Sequence, residues 1–182
     1  MAKTCFFISP IGDAESNERK ASDKLLKYII EPALEGRGYE TPVRADHITQ
    51  SGVITTQVFT HLWEDDLVIA DLTGSNPNVF YELAVRHMRR KPFVHMIKEG
   101  SAIPFDVAPN RTIYFDFDVA EANSAKAKLM AMVEDSTVDT PLSLAIDFAS
   151  QPLSSSPVLS GVSQILSIVQ NIQGRLPGDL FR

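Results

Sequence analysis

The chain has 182 residues, 44% of them hydrophobic and 22% charged, with a formal net charge of -6. That is enough chain for one domain with a sizeable core, and the acidic balance excludes free DNA or RNA, whose phosphates reward clustered Lys and Arg, as the expected partner. The one cysteine, Cys5, excludes an internal disulfide and a cysteine metal cluster.

In chain order, Thr4–Ser9 is a short apolar run ending at Pro10-Ile11-Gly12, which reads as a buried strand and a turn. The polar stretch Asp13–Lys20 leads into a helix whose apolar positions are Leu25, Leu26, Ile29, Ile30, Ala33 and Leu34. Pro32 should kink or restart it, and Gly36 and Gly38 should end it. Tyr39–Arg44 is a weaker strand, interrupted by Pro42. Ile54, Val58, Phe59 and Leu62 mark a helix over about 51–63. Leu67–Asp71 (LVIAD) is apolar on both faces, as a central parallel strand must be. Asn76 at the cap and Pro77 at the first helical position start a third helix. Strands follow at Phe93–Ile97 and Arg111–Phe117, then a helix at Ala120–Val133. The alternation predicts an α/β fold, a flavodoxin-like doubly wound five-stranded parallel sheet in the order 2-1-3-4-5. Residues 1–136 form this domain. Residues 137–182 read as a Ser/Pro-rich linker and a C-terminal helix for self-association, so a homo-oligomer is expected. No signal peptide and no apolar run of roughly 18 residues is present, so a cytoplasmic protein with no membrane partner is expected.

Open parallel sheets bind ligands at the carboxyl ends of their strands. The first strand delivers Ser9, Gly12 and Asp13 there, the second Arg44 and Asp46, and the third Asp71 and the start of a helix bearing Asn78, Tyr81 and Glu82. Asn78 and Glu82 share a helix face. Each group also has a plainer reading. Glu82 and Arg86 are spaced for a surface ion pair, Arg44 and Asp46 for another, Asp71 for capping the turn through Thr73 or Gly74, and Ser9 for a structural turn. The four histidines show no metal-ligand spacing, and no metal is expected. GxxxxGK[ST] and GxGxxG are missing, which argues against a P-loop NTPase or a Rossmann dehydrogenase.

At CFFISPIG (5–12), RAD (44–46) and DLVIADLTGSNPNVFYEL (66–83) the chain resembles a bacterial family described as nucleoside 2-deoxyribosyltransferase-like or TIR-like. The likeness covers roughly residues 4–118. It implies a glutamate on the helix after the third strand that acts at the anomeric carbon of a ribosyl group, and the matching residue is Glu82. Ser9, Gly12, Asp13, Arg44, Asp46, Asp71, Asn78 and Tyr81 would then bind substrate. The expected activity is a TIR-like nucleosidase that releases nicotinamide from NAD+, with a role in bacterial antiviral defence; NAD+ is substrate, not redox cofactor, and no cofactor is expected. The alternatives are a nucleoside 2-deoxyribosyltransferase or nucleotide N-hydrolase, and a non-catalytic nucleotide-binding or assembly module.

Overall fold

The computed structural model describes residues 2–48, 53–105 and 107–134. The linker and C-terminal helix expected within 137–182 lie outside the described residues. Strands β1 (Cys5–Ile8), β2 (Val43–Arg44), β3 (Leu67–Asp71), β4 (Phe93–Lys98) and β5 (Thr112–Phe115) form one parallel sheet in the order β2-β1-β3-β4-β5. This is the order the alternation predicts. The central register runs from Cys5 opposite Leu67 to Ile8 opposite Ala70, and from Val68 opposite Phe93 to Asp71 opposite Met96.

The first helical segment is α1 (Asn17–Leu25), a π-helical turn at Leu26–Ile30, and α2 (Glu31–Leu34). Pro32 has no N–H to give and its ring needs room, which the widened turn just before it supplies. Gly36 and Gly38, at φ +72° and +77°, then take the left-handed turn that ends the segment. Pro42 shortens the expected second strand to two residues, leaving Tyr39 a single bridge to Lys3. Helix α3 is Ile54–Glu64, α4 is Pro77–Arg89 and α5 is Val119–Glu134. The Asn76 side chain accepts the Asn78 N–H at 2.9 Å, and Arg90 in the left-handed region closes α4.

Because strand residues alternate between faces, the sheet has a core on each side. Phe7, Ile69 and Met96 pack with Leu25, Ile29, Leu34 and Leu129 on the α1/α5 side. Phe6, Ile8, Val68 and Leu72 pack with Val58, Leu62, Val79 and Leu83 on the α3/α4 side. Each such fully buried side chain contributes roughly 1.5–3 kcal/mol. The chain thus leaves β1 for one face and β3 for the other. The gap between their carboxyl ends is the switch point at which open sheets hold ligands.

Under α4, His87 and His95 face each other with Nε2 atoms 3.4 Å apart, both rings packed on Phe93. Burial pushes the His87 pKa down to about 4; burial and then the His87 charge push His95 down to about 3. Both are neutral in the folded protein at pH 6, whereas unfolded histidines take up protons near pH 6.5. Stability is therefore lost as pH falls below about 6.5. Between pH 7 and pH 5, His95→Leu should lose about 2 kcal/mol less stability than the wild type, read from urea unfolding at the two pH values. An equal loss in both would show that the pair does not hold its protons off.

Candidate active site

The nine residues picked out by sequence separate into three groups. Ser9, Arg44 and Asp46 meet residues of α1 in one polar network. The Ser9 and Ser22 hydroxyls are 2.6 Å apart, and Arg44 Nη1 donates to Ser22 Oγ at 2.6 Å. Arg44 Nη2 donates to Asp23 Oδ1 at 2.5 Å, and Nε to Asp46 Oδ1 at 2.5 Å. Arg19 closes the ring on Asp46 and Asp23. Arg44 and Asp46 do pair, but not at the surface, because the Arg44 side chain is 1% exposed. Burial works against the Arg44 charge, and the bonds to Asp46 and Asp23 outweigh it, so its pKa lies above the ordinary value. For Asp46, burial pushes the carboxyl up, but the Arg44 bond and the Arg44, His47 and Arg19 charges hold it below its usual range. Ser9, Arg44 and Asp46 thus bond to partners inside the protein. The sequence reading missed Arg19, Ser22 and Asp23; the i,i+4 spacing of Arg19 and Asp23 was the available signal.

Gly12 and Asp13 lie exposed on the loop from β1 to α1. A Cβ on Gly12 would sit 2.4 Å from Ser16 Oγ. That hydroxyl accepts the Arg19 N–H as the α1 cap, so a side chain here would push the Ser16 hydroxyl off its cap position.

At the β3–α4 junction, buried Asp71 accepts the Thr73 N–H on Oδ1 at 3.0 Å. It thus caps the turn, the plainer of its two readings. Burial raises its pKa, with the Thr73 bonds offsetting only part. Strand alternation directs Asp71, like Ser9, to the α1/α5 side, away from α4. Asn78 is exposed, and Tyr81 is exposed with its ring edge against Phe59 of α3, centroids 5.9 Å apart.

Glu82 is different. It is half-buried on α4 between the sheet-facing Val79 and Leu83, and its carboxylate has no hydrogen bond or ion pair among the described residues. Burial alone raises its pKa to about 7. The Glu82–Arg86 ion pair allowed by spacing does not form. Arg86 is wholly buried and donates instead to the carbonyls of Leu62 (2.9 Å), Asp65 (2.8 Å) and Pro92 (2.8 and 3.2 Å). The helix therefore carries its acid and its base on one face without letting them neutralise each other. What results is a half-buried carboxyl group with no charge partner among the described residues, its pKa raised towards neutral pH by burial.

Among the described residues no group of three or more His, Cys, Asp or Glu is placed to hold a metal, and no helix is long and apolar enough to cross a membrane. Cys5 is buried, and burial raises its thiol pKa far above the range in which it would react.

No family model matches the chain, and no curated protein matches it. Its fold is similar to that of the 2-deoxyribosyltransferase from the psychrotolerant bacterium Bacillus psychrosaccharolyticus, with a TM-score of 0.50 and 16% identity over 69% of this chain and 95% of that one. The 2-deoxyribosyltransferase from Leishmania mexicana matches at a TM-score of 0.42 and 16% identity, over 63% and 75% of the two chains. The five-stranded order with flanking helices is thus a deoxyribosyltransferase-like α/β fold.

Proposed function

We propose that this chain acts on the N-glycosidic bond of a nucleoside or nucleotide, with Glu82 attacking the anomeric carbon of the ribosyl or 2-deoxyribosyl group. The observation that carries the reading is the free Glu82 carboxyl, half-buried on the helix that starts at the carboxyl ends of the strands. The fold likeness to a 2-deoxyribosyltransferase supports the substrate class. As the bond to the base lengthens, the sugar gains oxocarbenium character, and a carboxylate on the opposite face stabilises it and then closes to a glycosyl ester. The base leaves with the bonding electrons. Water completes hydrolysis, or a second base completes transfer.

One observation favours a narrower second reading. Most bases must be protonated to leave, yet Asp71 is occupied by its turn and Asp46 is shared by two arginines. Nicotinamide departs from a cationic ring and needs no proton, so NAD+ suits a site in which neither Asp71 nor Asp46 is left to act as the partner acid.

The test is release of free base, followed by chromatography, from 2′-deoxynucleosides, nucleoside monophosphates and NAD+, with and without an acceptor base and across a range of protein concentration. Base from deoxynucleosides supports the first reading; nicotinamide alone supports the second. No base from any of them overturns both and leaves a nucleotide-binding or assembly module. Because attack requires the ionised carboxyl, kcat/KM should rise with pH through about 7 to a plateau. A rate that falls over that range would instead make Glu82 a proton donor.

A further inference from the structure

The connection from β4 to β5, residues 99–111, shows no helix among its described residues, although it joins two neighbouring parallel strands. Connections this long without a helix or strand of their own are uncommon inside compact domains, and are usually either functional loops or linker segments. This one is well anchored. Its root is tied to the turn that launches α4, since the Lys98 N–H donates to Thr73 Oγ1 at 2.9 Å. Gly100, at φ +80°, reverses the chain. Val107 is buried and Ile103 half-buried in the α3/α4-side core, with Leu72, Val79 and Leu83. The Val107 and Ala108 N–H groups both donate to the Pro104 carbonyl at 3.1 Å.

Between these two anchors stands Phe105, 84% exposed, the most exposed large apolar side chain among the described residues. A lone exposed apolar residue is ordinary. A phenyl ring held out by anchors on both sides, on a loop rooted at the turn that starts the Glu82 helix, is not accounted for by packing. An aromatic face there suits stacking on a planar base, a contact that works for purines, pyrimidines and pyridines alike because each has a π-face.

We infer that Phe105 is a base-recognition residue, which stacks on the base of an N-glycoside bound against α4. The inference rests on the reading of Glu82 given above. It adds a specificity element on a separate loop and predicts tolerance towards the kind of base.

The experiment uses the full chain with 2′-deoxyadenosine and NAD+ as probes, and 2-deoxyribose as the control lacking a base. Phe105→Ala should leave the melting temperature unchanged, because the ring is exposed. It should raise KM by about tenfold for each glycoside that is turned over, with kcat changed little. Phe105→Trp should restore KM. Its added fluorescence, measured against the wild-type signal of Trp63, should be quenched by the nucleosides and not by 2-deoxyribose. Wild-type turnover with an unchanged KM in Phe105→Ala overturns the inference and leaves the Glu82 reading intact. Absence of turnover from every substrate overturns that reading; quenching then still decides whether Phe105 contacts a base, and no quenching rejects it.

Discussion

Glu82→Gln should abolish base release, by at least about 10³-fold in kcat, and at the same time make the protein more stable at pH 8. The two effects have one cause. A carboxylate half-withdrawn from water with no cation beside it among the described residues is costly to ionise, and burial raises its pKa to about 7. The folded protein holds this proton between the unfolded glutamate value of about 4.5 and pH 7. The resulting contribution is full below about 4.5 and is lost as pH rises through 7. Partial solvent access weakens it, so about 1 kcal/mol is the expected gain for the neutral amide at pH 8, shrinking towards zero at pH 5. Urea unfolding at both pH values, next to the base-release assay, measures the pair. A variant that loses activity and also stability would show that Glu82 is a structural residue. One that keeps its activity would remove it from the chemistry. A gain in stability with a loss of activity is the expected mark of a group kept strained for function.

Much of the fold was legible because its signals are local. LVIAD at 67–71 can be apolar on both faces only if helices cover both, and Asn76-Pro77 specifies a helix start wherever it stands. The seams were less so. Pro42 announced a weak strand, but not that only Val43 and Arg44 would pair. Tertiary polar contacts were least legible. Arginine is ordinarily exposed, so nothing at position 44 told of a buried guanidinium whose partners Ser22 and Asp23 come from a helix twenty residues earlier. Phe105 looks in sequence like any core residue; only the fold shows that Ile103 and Val107 are the ones turned inward. Glu82 was singled out by its place after β3, yet its lack of a described partner was not foreseen, because spacing offered it Arg86.

Arg86 is where that spacing argument failed, and the failure carries the second large prediction. Its acceptors are backbone carbonyls, which leave no mark on a sequence. Leu62 lies in the last turn of α3 and Asp65 caps it, so the guanidinium sits at the negative end of that helix. Through Pro92 it also holds the return from α4 to β4. Burial lowers its pKa to about 10, with the Asp65 charge opposing, and it remains charged at pH 7. Arg86→Met matches the apolar bulk but leaves those carbonyls without their donor, so it should cost about 3–5 kcal/mol in urea unfolding. Arg86→Lys keeps the charge, but an ammonium lacks the planar fork that reaches both the end of α3 and Pro92, so it should recover only part of the loss. Because Arg86 is one turn from Glu82 on the same helix face, the folded Lys variant should also lose activity beyond its loss of stability, as α4 settles in a slightly different seat. A cost under about 1 kcal/mol for Arg86→Met would mean that water satisfies the three carbonyls and that apolar packing alone fixes α4. Glu82 would then owe its position to Val79 and Leu83, and Arg86→Lys would leave turnover unchanged.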